Sequence, residues 1–161
     1  MTRPSPLQPR EFFSGTWMGE GELRFVGLAS WLRRSERFRY QTRVRWITHA
    51  RSEYTDVFEF ESGRKLDIPF VSEIIDDRRL HVVSPDMPGG ADIQLSEDGY
   101  TYSPYVALAH VGPLRFHLHC TDVNLIDREG LIHDRVEMRW LGLRVAILTM
   151  TIRVDRNDPS P

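Results

Sequence analysis

The chain has 161 residues, 40% hydrophobic and 27% charged, with a formal net charge of −2; this fits one globular domain able to bury its own core. So balanced a charge offers no basic field for a phosphate backbone, which excludes nucleic acid as an expected partner. A single cysteine, Cys120, excludes an internal disulfide and points to a reducing, cytoplasmic setting, and no apolar run approaches the roughly 20 residues of a membrane span.

Residues 1–10, MTRPSPLQPR, hold three prolines and no apolar stretch. They are expected to form a flexible leader, followed by a domain over 11–156 and a disordered tail over 157–161. From residue 16 onward the hydrophobic pattern has a period of two, the signature of half-buried strands. It predicts ten strands: 16–25, 37–48, 52–61, 65–75, 79–83, 91–95, 100–109, 114–125, 131–140 and 144–155. One helix is expected, after the first strand. There Leu28, Trp31, Leu32 and Ser35 fall at helical spacing, with Arg33, Arg34 and Arg37 opposite, and the helix should sit as a lid or plug over a barrel end. Short turn signals separate the strands: Ser62-Gly63, Asp76-Asp77, Pro88-Gly89-Gly90, Glu97-Asp98-Gly99, Gly112-Pro113, residues 127–130 and Leu141-Gly142. An up-and-down meander of ten strands leaves two bare edges unless it closes, so the expected fold is all-β, a single antiparallel β-barrel.

Alternation also sorts the faces. Phe38, Tyr40, Thr42, Val44 and Trp46 share one face, opposite Arg39, Arg43 and Arg45. The same sorting turns Tyr54, Asp56, Phe58, Phe70, Phe116, Cys120, Asp122, Asp134, Met138 and Trp140 inward. Ligand cavities are mostly apolar with a few convergent polar groups. The candidate ligand-binding residues are therefore Tyr40, Trp46, Tyr54, Asp56, Phe58, Phe70, Phe116, Asp122, Met138 and Trp140. The alternative is a filled lumen in which the tyrosines and aspartates bond one another. Asp56, with Tyr40 and Tyr54, is the preferred functional polar group, because a carboxyl in apolar surroundings takes a raised pKa.

His117 and His119 share a strand face with Arg115. That face is either an outward polar surface or, if a bulge reverses the strand, a metal-ligand or acid/base pair completed by His133 or Glu137. No metal is expected. Cys120 reads as a buried, inert thiol, and His110 as a rim residue. Tyr100, Tyr102 and Tyr105 around Pro104 fit either a lumen mouth or cross-strand packing. No GxSxG, HExxH, phosphate-loop, dinucleotide or CxxC motif occurs.

The segment FSGTWMGEGE, residues 13–22, resembles the Gly-x-Trp opening strand of the calycins, and its GTWxGEGE form looks most like the nitrobindin family. The resemblance implies a ten-stranded, fatty-acid-binding-protein-like barrel. It also implies that Trp17 closes one end beneath an arginine of the last strand, Arg153 or Arg156. Nitrobindins hold haem through a histidine of the final strand, and the matching stretch here, EMRWLGLRVAILTMTIRV, has none. The corresponding position is aliphatic, near Ile147 or Leu148, so neither haem nor another cofactor is expected. The leading functional reading is an intracellular binding protein for a small hydrophobic molecule. Next comes a cyclase- or isomerase-type enzyme using the same lumen, with Asp56, Tyr40 or Tyr54 moving a proton. The third is a haem-binding nitrobindin-like protein, or an interaction module presenting Arg39, Arg43 and Arg45. A homodimer is compatible with each.

Overall fold

The computed structural model describes residues 8–156. In chain order the elements are α1 (Pro9–Phe12), β1 (Gly15–Phe25), α2 (Ala29–Leu32), β2 (Glu36–Trp46), β3 (Arg51–Phe60), β4 (Lys65–Asp76), β5 (Arg79–Ser84), β6 (Met87–Ser96), β7 (Gly99–Tyr102), β8 (Tyr105–Val111), β9 (Leu114–Ile126), β10 (Ile132–Trp140) and β11 (Leu143–Asp155). Antiparallel pairing runs unbroken from β1 to β7, passes from β7 to β9, and returns through β10 and β11 to β1. The sheet is a closed barrel, as the bare-edge argument requires.

Two differences from the sequence pattern have local causes. The expected strand 100–109 is two pieces, because Pro104 has no N–H to give a ladder. β7 pairs with the late part of β9, and β8 with its early part, from Tyr105 opposite Cys120 to Val111 opposite Leu114. Pro88-Gly89-Gly90 lies inside β6 and not in a turn. Gly89 and Gly90 adopt φ of 84° and 65° and lengthen β6 against β5, where the register shifts between Val82 and Ser84. The β2–β3 ladder is also interrupted, between the pairs Gln41–Val57 and Arg45–Glu53. There the Thr42 hydroxyl donates to the Thr55 carbonyl at 2.9 Å.

The barrel's two ends differ. At the α1 end, Leu80, Ile93, Ile132 and Ile152 are each 1% exposed. Phe12, Phe13, Trp17 and Tyr100 meet there in a cluster with ring centroids 4.8–6.3 Å apart. Trp46 Nε1 donates to the Phe13 carbonyl at 2.9 Å and thereby ties the α1 segment to β2. The expected leader thus overlaps α1 at Pro9 and Arg10, while residues 1–7 and the tail over 157–161 lie outside the described residues. Trp17 closes this end, but Arg153 does not cover it: opposite Met18 in the ladder, Arg153 is exposed and shares Met18's outward parity. The aromatic cluster covers Trp17 instead, with the Arg156 guanidinium 5.9 Å from the Phe12 ring.

The short helix after β1 exists as α2 but plugs nothing. Its four residues are too few to build an apolar stripe, and Trp31 is 90% exposed. At this second end Leu114, Leu141 and Leu143 are exposed beside Trp140. Glycine is required at Gly21, where β1 is squeezed between its neighbours. A Cβ there would run into the Thr149 carbonyl and, at 2.8 Å, the Phe38 ring. Among the described residues, no helix is long and apolar enough to cross a membrane.

Candidate functional site

Between the two ends the inner faces of six strands bring polar groups together in the barrel interior, here called the chamber. β2 carries Tyr40, β3 Tyr54 and Asp56, β7 with β8 Tyr102 and Tyr105, β9 Asp122 and Asn124, and β10 Asp134. Period-two alternation delivers all of them inward except Tyr105. The Ser103-Pro104 break adds one residue to the count, so Tyr105 turns inward beside Tyr102, with ring centroids 5.9 Å apart.

The Tyr40 hydroxyl donates to Asp56 Oδ1 at 3.0 Å. Burial pushes the Asp56 carboxyl up to about 7, against the opposing hydrogen bond from Tyr40. Across the barrel interior, Asn124 Nδ2 donates to Asp122 Oδ1 at 2.7 Å, and burial pushes the Asp122 carboxyl above the usual carboxylate range. Asp122 and Asp134 are buried neighbours for which carrying two charges is costly, so one of them holds a proton. Burial first, then the charge of Asp122, raises Asp134, so Asp134 keeps that proton. Burial raises the pKa of Tyr40, Tyr54, Tyr100, Tyr102 and Tyr105, with the nearby carboxylates adding to the effect. Burial likewise lifts the Cys120 thiol to about 11, which leaves it unreactive near neutral pH.

Apolar walls complete the chamber. Phe58 packs between Phe38 and Tyr40, at 5.3 Å from each, and Phe70 stacks on Tyr54 at 5.2 Å. Phe116 and Trp140 meet edge to face at 5.6 Å on the open rim, where Trp140 is 41% exposed. Met138 is half-buried one pair deeper. Of the ten candidate residues, nine lie around the chamber or its rim. Trp46 is the exception, because its indole is engaged at the closed end with Phe13. Sequence reasoning missed Asn124, while Tyr102 and Tyr105 belong to the tyrosine group that fits a lumen mouth or cross-strand packing. Continuing the β9 alternation by two from Asp122 finds Asn124, whereas the inward turn of Tyr105, opposite Cys120, depends on the break at Pro104.

The histidines sit elsewhere. His117 and His119 are exposed on the outer face of β9, and His133 is bonded outside to Asp127 at 2.8 Å. His81 is tied to Asp92 at 2.7 Å, His110 lies 3.5 Å from Asp86, and His49 is exposed in the β2–β3 turn. Glu137 is held by Arg135, Arg139 and Arg144 on the outer surface. No group of three metal-ligating side chains occurs among the described residues. Ile147 and Leu148 are buried and aliphatic, so no histidine is placed to ligate a haem iron from within, and the lumen does not fit haem held in that way. Two open grooves of about 1020 Å³ and 1120 Å³ lie against the wall. The first is lined by outward Arg and Glu side chains together with Phe38, Phe60, Asp134 and Met150, and the second by a mixed set that includes Arg43, Arg45, Glu53, Thr42, Tyr54 and Phe70.

No family model matches the chain, and no curated protein does. Among solved structures, Rv2717c from M. tuberculosis aligns over 89% of this chain and 92% of its own, with 13% identity and a TM-score of 0.59. The S-type phycobiliprotein lyase CPES from Guillardia theta aligns over 96% of this chain and 95% of its own, with 10% identity and a TM-score of 0.59. At such identities the likeness speaks for the fold alone: this chain shares the antiparallel β-barrel fold of these two proteins.

Proposed function

We propose that this protein binds a small, largely apolar molecule inside the barrel, admitted from the rim formed by Phe116 and Trp140. One observation carries the reading. Asp56, Tyr102 and Tyr105 lie on the inner face of the barrel, yet each keeps accessible surface, which supports space beside the interior polar groups. A lumen filled by its own side chains leaves no such surface. The opening strand, with Trp17 and Gly21, supports kinship with nitrobindin-like barrels, while Ile147 and Leu148 favour an occupant other than haem.

Burying about 250 Å² of apolar ligand surface at about 25 cal/mol per Å² yields about 6 kcal/mol, or binding in the tens of micromolar. Titration with N-phenyl-1-naphthylamine tests this. The expected result is saturable fluorescence enhancement at one probe per chain, with a change in tryptophan emission from Trp140. Absence of saturable uptake would overturn the reading.

An enzymatic use of the same chamber is favoured by one specific feature, an Asp56 carboxyl titrating near neutrality against the Tyr40 hydroxyl. In that case Asp56→Asn abolishes turnover of the bound molecule while affinity persists, and unchanged turnover would remove Asp56 from the chemistry.

A further inference from the structure

The end of the barrel that α1 does not cap carries an apolar crown. Leu28, Trp31 and Leu32 in the α2 segment are each at least 80% exposed, and Leu114, Leu141 and Leu143 stand out from the β8–β9 and β10–β11 turns. These tips adjoin one another: α2 touches β11 and β1, β10 pairs with both β11 and β9, and Phe116, two residues after Leu114, meets Trp140. Single exposed apolar residues are ordinary, but six on adjoining tips make a patch that marks an interaction surface.

Charge is polarised along the barrel axis in the same sense. Arg33 and Arg34 follow α2 directly and Arg115 follows Leu114; all three are exposed and make no ion pair among the described residues. Arg139 and Arg144 flank the β10–β11 turn, and the one carboxylate they share, Glu137, is also bound by Arg135. Of the acids at this end, Glu36 is paired with Arg64 and Asp86 lies against His110. At the closed end, by contrast, the turns over 97–98 and 127–131 carry Glu97, Asp98, Asp127 and Glu129 against Arg128 alone.

We propose that the open end docks on the surface of an anionic phospholipid bilayer, with Trp31, Leu32 and Leu141 entering the headgroup layer and Arg33, Arg34 and Arg115 meeting the lipid anions. The apolar side chains project from three separate turns, so a rigid protein partner would need a pit for each, whereas a bilayer interface yields to them and favours tryptophan at headgroup depth. The arginines around them complement a negative leaflet, each strengthening attachment about fivefold. The contact is peripheral, and the acidic closed end points away from the lipid. It is independent of the lumen, since a barrel without ligand presents the same crown.

Co-sedimentation of the full chain with vesicles tests the docking. Binding to phosphatidylcholine vesicles containing about one-third phosphatidylserine should be at least about tenfold tighter than to phosphatidylcholine alone, and should weaken as salt rises. Arg33→Glu combined with Arg34→Glu should weaken it at least about twentyfold, and Trp31→Ala combined with Leu32→Ser at least about fivefold. Arg128→Glu, at the closed end, should change it by less than about twofold. All of these side chains are exposed, so the substitutions spare the core. No binding to the mixed vesicles, equal binding to both kinds, or equal losses for the Arg33/Arg34 and Arg128 variants would overturn the proposal. So would a dimer in analytical ultracentrifugation that Trp31→Ala with Leu32→Ser dissociates, because a second copy of the chain would then cover the crown.

Discussion

At the α1 end of the barrel, Phe13 stacks on Trp17 while Phe12 and Tyr100 meet them edge to face, over a layer of fully buried isoleucines and a leucine. At the opposite end, Phe116 and Trp140 make a single edge contact, and Leu141, Leu143 and the α2 side chains face water. The same antiparallel ladders run through both ends, so backbone hydrogen bonding does not distinguish them. Side-chain packing does. The contrast implies that stability is concentrated where the α1 segment caps the barrel, leaving the other end free of the packing that would close it.

Substitutions at the two ends should differ accordingly. The largest effect is expected for Trp17→Ala, which empties the centre of the aromatic cap and should cost about 3–5 kcal/mol in urea unfolding. A loss below about 1 kcal/mol would erase the distinction between the ends. Next comes Asp56→Asn, which acts on the chamber between them. The carboxyl's proton affinity is raised in the folded state, from 3.8 to about 7. Its contribution is therefore fully present below about pH 4 and is lost as pH rises through 7. The wild type should be less stable at pH 8 than at pH 5. Asp56→Asn should recover about 2–4 kcal/mol at pH 8 and little at pH 4, as read from the pH dependence of the urea midpoint. Gly21→Ala should cost about 1–3 kcal/mol, because the added methyl meets the Thr149 carbonyl and the Phe38 ring. The smallest stability change, under about 1 kcal/mol, is expected for Trp140→Ala on the half-exposed rim. That variant should instead alter the uptake of N-phenyl-1-naphthylamine.

The closed end and the open end were also unequally legible in the sequence. Alternation along β2, β3, β9 and β10 put Tyr40, Asp56, Asp122 and Asp134 inside before any coordinates, because a half-buried strand shows its faces at a strict period of two. That rule breaks where the backbone does, and Pro104 and the Gly89-Gly90 bulge are invisible to it. Parity would also have placed Arg153 outside, since Ile152 and Val154 flank it on the inner face. The plug was misassigned for a different reason. Leu28, Trp31 and Leu32 carry helical spacing but are too few to hold a helix against the barrel. Phe12 and Phe13 lack any pattern and succeed through tertiary contact with Trp17.

Native mass spectrometry of the freshly purified protein addresses the open chamber most directly. The expected spectrum shows the chain carrying one small organic molecule that is stripped as collision energy rises, or taking up one N-phenyl-1-naphthylamine after incubation. A spectrum of bare chain alone, before and after incubation with excess probe, would contradict a ligand-holding lumen.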